Sequence, residues 1–542
     1  MQRGARARRK PRLGPEGVVD VRRGGKLPRA PRMRRTEPPP ARRKPTECRF
    51  RRRGGGLLLA ALLATGTSRG PAAARDFTDP APPSFEAGPA PGAVTPKENP
   101  EASAHLAPRA PAPDARTSDW PNFLGPAHNL TSDETRLRRD FPAAGLKPVW
   151  EMRKGEGFAS PVITGERLVL FHRVGSEEMI DCLHAVDGRR FWRVKYPTSY
   201  RDRYGYNPGP RASPAIAGGR VFTLGAEGRL HCIDLASGRV NWRRDLHGEF
   251  GIRQNFFGVG ASPLVVGDVV IVQLGAPGGP GVAAFDVANG RMRWGAETEW
   301  GASYASPVPA TLHGRERVLV FAGGESRPPT GGLLCLDPAT GTVDFRFPWR
   351  GTRYESVNAA SPVVMGDRVL VAECYGSGGV LVEARSDGTA AAVWRNPGFG
   401  MHFMSALRLG DHLYGVTGHG PQDAELVCVE AATGREIWRD QPLWTETVRE
   451  PRGPREIRTG TFRAFLLAVD GQVLALGEFG HLVRLDLSPK GVRVLERVWL
   501  FAATETWTPP ALSRGLLYVC QNTRDALQGT TPRLLCYDLR GD

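Results

Sequence analysis

Gly228-Arg229-Leu230-His231-Cys232-Ile233-Asp234-Leu235-Ala236-Ser237-Gly238-Arg239-Val240-Asn241-Trp242 decides the fold. Its first half is a Leu-x-Cys-x-Asp strand, Leu230 to Asp234. Asp234 to Gly238 is a turn: an acidic side chain can accept turn N–H bonds while the glycine takes a positive φ. Four residues after that glycine stands Trp242. The same sentence is written again and again along the chain. Gly188, Gly238, Gly290, Gly341 and Gly434 precede Trp192, Trp242, Trp294, Phe345 and Trp438 by four residues each. Asp337-Pro338-Ala339-Thr340-Gly341 and Glu430-Ala431-Ala432-Thr433-Gly434 repeat the turn.

Upstream of each such hairpin lies a second landmark. Ala-Ser-Pro occurs at Ala159-Ser160-Pro161, Ala212-Ser213-Pro214, Ala261-Ser262-Pro263, Ala305-Ser306-Pro307 and Ala360-Ser361-Pro362, with echoes at Ser405-Ala406, Ala464-Phe465 and Pro509-Pro510. Strands such as Arg220-Val221-Phe222-Thr223-Leu224 and Arg368-Val369-Leu370-Val371 follow. Each unit of about 44–60 residues therefore predicts four short strands. Units five and seven are looser, ending at Trp394 and Trp499, and the eighth runs out at Asp542 without its aromatic strand. Lys147-Pro148-Val149-Trp150, at the other end of the domain, supplies it. The fold class is all-β: an eight-bladed β-propeller of four-stranded antiparallel blades, the ring closed by the N-terminal strand around Trp150. A linear stack of β units would give Trp150 no role. One Trp per unit, able to remove about 150–250 Å² from water, fills the wedge between blades.

Around the propeller the composition shifts. The chain has 542 residues and a net charge of +17, but residues 1–75 hold 22 Lys/Arg against 4 Asp/Glu. The remainder carries 51 basic and 52 acidic groups, so the basicity belongs to a tail and not to a face that would displace phosphate counterions. No nucleic-acid partner is expected. Arg51-Arg52-Arg53, the apolar run 57–64 and the small residues beyond it read as a secretory signal within a basic leader, 1–75, with translation starting as late as Met33. So short a run cannot span a bilayer. The expected localisation is exported, periplasmic or cell-surface, with no transmembrane span and a monomeric state. Ten prolines among residues 76–118 predict a disordered Pro/Ala-rich linker ahead of the propeller, 119–542.

The candidate chemistry is sparse. Cys182, Cys232, Cys335, Cys428 and Cys536 share one register, occupied in the other units by Ala284, Val382 and Arg484, and read as small core residues; Cys374 and Cys520 end the preceding strands of units five and eight. No metal-ligand spacing, P-loop or nucleophile elbow is present, so no metal and no catalytic residue is assigned. The residues feeding each innermost strand should ring one mouth of the channel: Phe158, Arg211, Phe257, Tyr304, Asn358, His402, Phe462 with Arg463, and Trp507. The long link after the first unit adds Tyr196, Tyr200, Tyr204 and Tyr206. The expected ligand and partner rim is Tyr204, Tyr206, Arg211, Phe257, Tyr304, Asn358, His402, Arg463 and Trp507. Such a rim suits a protein or peptide partner, a small molecule or a glycan; alternatively the aromatics simply plug the funnel.

The pattern Ala-Ser-Pro … Gly-x-Leu-x-Cys-x-Asp … Thr-Gly-x-x-x-Trp resembles the pyrroloquinoline-quinone-like (PQQ-like) repeat family, over about residues 119–542. Trp120-Pro121-Asn122-Phe123-Leu124-Gly125-Pro126 and Arg203-Tyr204-Gly205-Tyr206-Asn207-Pro208-Gly209-Pro210-Arg211 look like exported bacterial members. The resemblance implies one of two functions. One is a non-catalytic propeller, similar to the scaffold of the outer-membrane β-barrel assembly machinery, binding a partner at the funnel without a cofactor. The other is a PQQ- and calcium-dependent alcohol or sugar dehydrogenase; those enzymes carry a pair of adjacent cysteines, and this chain has none. The scaffold is the expected function, with no cofactor.

Overall fold

Short apolar runs broken by glycine turns pair as consecutive hairpins, and that is how the chain is arranged. The computed structural model describes residues 77–86, 88, 91–296, 299–450 and 453–541, all within one compact unit; the basic leader 1–75 and its apolar stretch 57–64 lie outside them. Among the described residues there is one helix, Leu246–Phe250, and it is five residues long. Everything else of regular form is strand.

Eight antiparallel blades of four strands make the propeller. Blade 2 is representative, running from the centre outward through Ala215–Ala217, Arg220–Leu224, Arg229–Asp234 and Val240–Asp245. Blades 1 and 3 to 7 occupy 162–197, 264–296, 308–348, 363–396, 407–440 and 465–499. Blade 8 has Ala511–Ser513, Leu516–Gln521 and Arg533–Asp538, and its outer strand is Pro148–Arg153 from the other end of the domain. Trp150 pairs with Cys536 in the register that joins Trp192 to Cys182 and Trp242 to Cys232. The ring closes as expected.

Each docking tryptophan spans a seam. The indole N–H groups of Trp150, Trp192, Trp242, Trp294, Trp394 and Trp438 donate at 2.8–3.0 Å to Ala185, Leu235, Val287, Pro338, Ala431 and Ser488, carbonyls in the next blade. The turn glycine has a second duty here. A Cβ on Gly238 would meet Trp192 at 2.5 Å, and one on Gly434 would meet Trp394 at 2.4 Å. Glycine is required both for φ near +75° and for the indole that lies over it.

The Ser-Pro landmark has its own physics. Proline ends the ladder at the hub, leaving the serine N–H without a partner in its own blade. The neighbouring serine supplies one. Ser160 N donates to Ser213 Oγ, Ser213 N to Ser262 Oγ, Ser262 N to Ser306 Oγ and Ser306 N to Ser361 Oγ, at 2.8–3.0 Å.

Three sequence expectations need correction. In blade 5 the turn glycine Gly388 stands six residues before Trp394 where other blades have four, and Leu381, not Val382, faces Trp394. In blade 7 the residue facing Arg484 is Glu496, and Trp499 pairs three residues further on with His481. The third concerns the disordered linker expected over 76–118. Its described residues lie along the outer strands of blades 2, 1 and 8: Ser84 bridges Arg243, Lys97 bridges Arg190, and Ala102–Ala104 pairs with Pro148–Arg153. Backbone pairing with exposed strand edges, plus ion pairs, offsets the ordering entropy that composition alone cannot. Asp79 meets the fully buried Arg244, and Glu101 meets Arg190 at 2.8 Å and Arg193 at 2.5 Å.

Candidate functional site

The hub is stopped from one end by the segment that opens the propeller. Trp120, with no exposed surface, exchanges backbone bonds with Ile163 of blade 1 (2.9 and 2.8 Å), and Pro121 O accepts from Ile216 N of blade 2. Leu130 O accepts from Ala468 N, and Thr131–Ser132 pairs in parallel with the inner strand of blade 7. Between these anchors Phe123 is pushed up the channel. Its ring forms part of the floor of a cavity of about 240 Å³ that opens on the other face.

The links from the outer strand of one blade to the inner strand of the next all emerge at that face. They bring Tyr206, Arg211, Phe257, Tyr304, His402, Arg463 and Trp507 together around the cavity, with Phe158 beside them. Two of the expected rim residues stand elsewhere. Asn358 has no exposed surface, and its amide donates to Ala322 O (2.7 Å) and Trp349 O (3.3 Å), so it pins a link between blades. Tyr204 stands outside the cavity at 52% exposure, leaning on Phe256 and Phe257. Phe462 turns away onto Phe479.

The tyrosine-rich link 198–211 arches over the mouth. Asp202, whose side chain is inaccessible, organises it: Oδ1 accepts from the N–H groups of Tyr204 (2.9 Å) and Tyr206 (3.1 Å), and Oδ2 from Arg211 (2.7 Å). Arg203 reaches Glu325 at 3.1 Å, and Glu325 also accepts from the Tyr354 hydroxyl. The arch thereby ties blade 2 to blade 4.

Both guanidinium groups in the cavity wall are already paired. Arg211 lies on Phe158 and Phe257 (5.3 and 5.1 Å to the ring centroids) and holds Asp202. Arg463 chelates Glu478, its Nε standing 3.0 and 3.1 Å from the two carboxylate oxygens, and covers Trp507 at 4.7 Å. Trp507 Nε1 donates to the same carboxylate (3.1 Å) and its ring stacks on Phe158. A flexible cation whose charge is matched and whose plane is stacked is fixed, so this wall is rigid and near neutral.

The wall beside Arg463 has different chemistry, and two of its residues were not foreseen. Tyr375 and His419 join His402 there, with Phe403 and Phe465. Tyr375 Oη lies 3.4 Å from His402 Nε2 and 3.3 Å from His419 Nε2. Burial and the neighbouring His419 and Arg463 push the His402 pKa far down, and burial lowers that of His419, so both imidazoles are neutral at pH 7. Burial raises the Tyr375 phenol. Tyr375 and His419 each stand two residues past the second strand of blades 5 and 6. Loops after second strands open on the same face as the inter-blade links, and that topological rule was the available signal.

The calcium–quinone alternative fails on its donor set. Calcium takes six to eight oxygen ligands, largely carboxylates and carbonyls. Of the carboxylates beside the cavity, Asp202 and Glu478 are each engaged by an arginine, burial favours the protonated form of Glu505, and Asn358 is turned into the blades. Among the described residues no three His, Cys, Asp or Glu side chains converge as a metal site. Cys374 and Cys520 belong to different blades and are free thiols, raised by burial to about 12 and about 11.

A family described as outer membrane protein assembly factor BamB matches residues 176–440. The outer membrane protein assembly factor BamB of Burkholderia pseudomallei is 26% identical over 330 residues, covering 58% of this chain and 75% of that protein. The solved BamB of Moraxella catarrhalis is 17% identical, with a TM-score of 0.46 over 73% of this chain and 98% of that one. A europium-containing methanol dehydrogenase superposes with a TM-score of 0.55 at 14% identity, over 78% of this chain and 98% of that one. That last likeness concerns the fold alone. No helix among the described residues is long and apolar enough to cross a membrane.

Proposed function

We propose that this chain, an eight-bladed propeller of PQQ-like repeats similar to BamB, is an exported binding scaffold that docks a protein partner on its funnel face. The observation that carries the reading is the arch 198–211. It holds Tyr204 and Tyr206 at 52% and 41% exposure, beside a shallow aromatic cavity and on a base fixed by Asp202. Large apolar groups on a preorganised loop, with tyrosine and arginine dominant, are the usual composition of an interface centre. A cavity of about 240 Å³ has room for one or two side chains of a partner, inserted between Tyr206, Trp507 and the His402 wall. The paired arginines supply stacking surface and no net charge, so recognition rests on shape and apolar contact.

The leader 1–75 is proposed as the export signal that delivers the chain to the periplasm or cell surface, where an outer-membrane assembly role operates. The test is site-specific photo-crosslinking in cells. A benzophenone side chain at Tyr206 is expected to capture an outer-membrane assembly component, and one at Arg315, exposed on blade 4, is not. Equal capture at both positions, or none at Tyr206, would sink the funnel-face reading.

A further inference from the structure

Two imidazoles and a phenol meet where the loops of blades 5 and 6 come together at the cavity wall. Tyr375 follows the strand Arg368–Glu373, His419 follows His412–Thr417, and His402 lies in the link into Leu407–Leu409. The two imidazole centroids are 4.5 Å apart, and both Nε2 atoms look toward one phenol oxygen, at 3.4 and 3.3 Å. Hydrogen bonds between such groups centre on about 2.7–3.0 Å, so both contacts are long ones. Two ligands of a single tetrahedral ion with bonds of about 2.0–2.1 Å stand about 3.3–3.4 Å apart. The observed spacing is that of two donors sharing one ion.

The loops are held so that these atoms stay in place. The Glu373 carboxylate accepts from the N–H groups of Tyr375 (2.7 Å) and Gly378 (3.2 Å), fixing the first loop. Asp423 accepts from His419 N (3.1 Å) and Gly420 N (2.6 Å), while Arg463 donates to His419 O (2.9 Å). His402 follows Met401, which is bridged to Thr417, and its ring rests on Phe403. His419 is exposed, which gives an ion a way in, and all three donors line the cavity. Arg463, ion-paired with Glu478, stands behind both imidazoles and disfavours their protonated forms, which keeps their nitrogens free to bind an ion.

We propose that Tyr375, His402 and His419 form a three-donor site for a borderline divalent ion, zinc or copper(II), with a fourth position open to the cavity. Imidazole nitrogen and phenolate oxygen suit these ions and not calcium. Binding displaces the phenol proton to solvent, and the open position takes water or a donor atom from whatever enters the funnel. Both metals share this donor chemistry, and the inference does not require a docked partner.

The experiment uses the full chain without a histidine tag, stripped with a chelator and then titrated. Zinc is followed by calorimetry, and cobalt(II) serves as a spectroscopic stand-in. One ion per chain is expected, with the intense visible bands of four-coordinate cobalt. His402→Ala and His419→Ala should each weaken zinc binding at least about 100-fold, and Tyr375→Phe roughly tenfold with a changed cobalt spectrum. His313→Ala, which removes the histidine of blade 4 bonded to Ala384 O, should leave binding unchanged. Circular dichroism checks the fold of each variant. Should the histidine variants unfold, Tyr375→Phe still decides, since it deletes a single oxygen. No stoichiometric ion, or binding undiminished by these substitutions, would overturn the site. Crosslinking at Tyr206 is read separately, so either proposal can fail while the other stands.

Discussion

The seam between blades 8 and 1 differs from the seam between blades 7 and 8, although both lie next to the point of closure. At the first, Trp150 is fully buried, donates across to Ala185 and lies on Gly188, and Ala102–Ala104 adds a fifth strand outside it. At the second, the register position belongs to Glu496. Trp499 bonds Phe479 of its own blade and stacks on His481 at 4.7 Å, the planes 12° apart. Here segments preceding the first blade stand in for the wedge: Leu137 N and Arg139 both bind Asp470, and Arg138 N donates to Leu539 O. The tryptophan is thus one way to join two blades. At the seam between blades 7 and 8, contacts from residues 137–139 take its place.

Breaking that contrast should give effects of graded size. The largest is expected from Trp150→Ala, about 3–5 kcal/mol by urea denaturation, because a buried ring and its cross-seam bond are both lost. Trp499→Ala should lose less than half as much; equal losses would mean that the two seams carry the same load. Next comes the glycine beneath the ring. Gly188→Ala and Gly165→Ala both put a side chain at positive φ (+76° and +59°) in blade 1, at about 1–2 kcal/mol each. Only at Gly188 does the new Cβ strike Trp150, at 2.8 Å, so it should lose about 1–3 kcal/mol more. A vanishing difference would show that the indole moves aside freely.

The smallest effect sharpens the weaker seam through pH. Burial lowers His481 to about 3, against about 6.5 in the unfolded chain. The unfolded state therefore takes up the proton first, and stability contributed by the neutral ring is lost as pH falls below 6.5 toward 3. Between pH 7 and pH 6 the loss is about 0.7 kcal/mol for one such group. His481→Asn should remove that share from the measured slope. His231, lowered to about 3 by burial in blade 2, keeps its own share in both proteins.

The eight blades and their closure were legible because each depends on residues with few substitutes. Only glycine fits under the indole at Gly238, and the Ser160-to-Ser361 clasp needs a small hydroxyl at every hub position. The rim was legible where it follows the same register, as at Arg211, Tyr304 and Trp507. Asn358 shares that register but spends its amide on backbone carbonyls, a difference of side-chain rotation that one-letter order does not carry. The outer belt over 77–118 was hidden for another reason. It is held by backbone bonds and a few ion pairs, such as Glu101 with Arg193, and its own composition has no strand signal. Tyr375 and His419 stood outside the repeat because each occurs in one loop only.

Ring closure by Pro148–Arg153 also sets an order of events. The strand that completes blade 8 precedes blade 1 in the chain, and its partner Arg533–Asp538 follows blade 7. As the chain folds, blades 1 to 7 can stack one upon another, but the molecule stays a split arc until Arg533–Asp538 pairs with Pro148–Arg153. Non-local pairing of this kind is slow. An unpaired Trp150 edge is where a protease or a chaperone would find the unfinished ring, and deletion of Arg533–Asp538 would leave blades 1 to 7 their strands while blade 8 and the circle stay open.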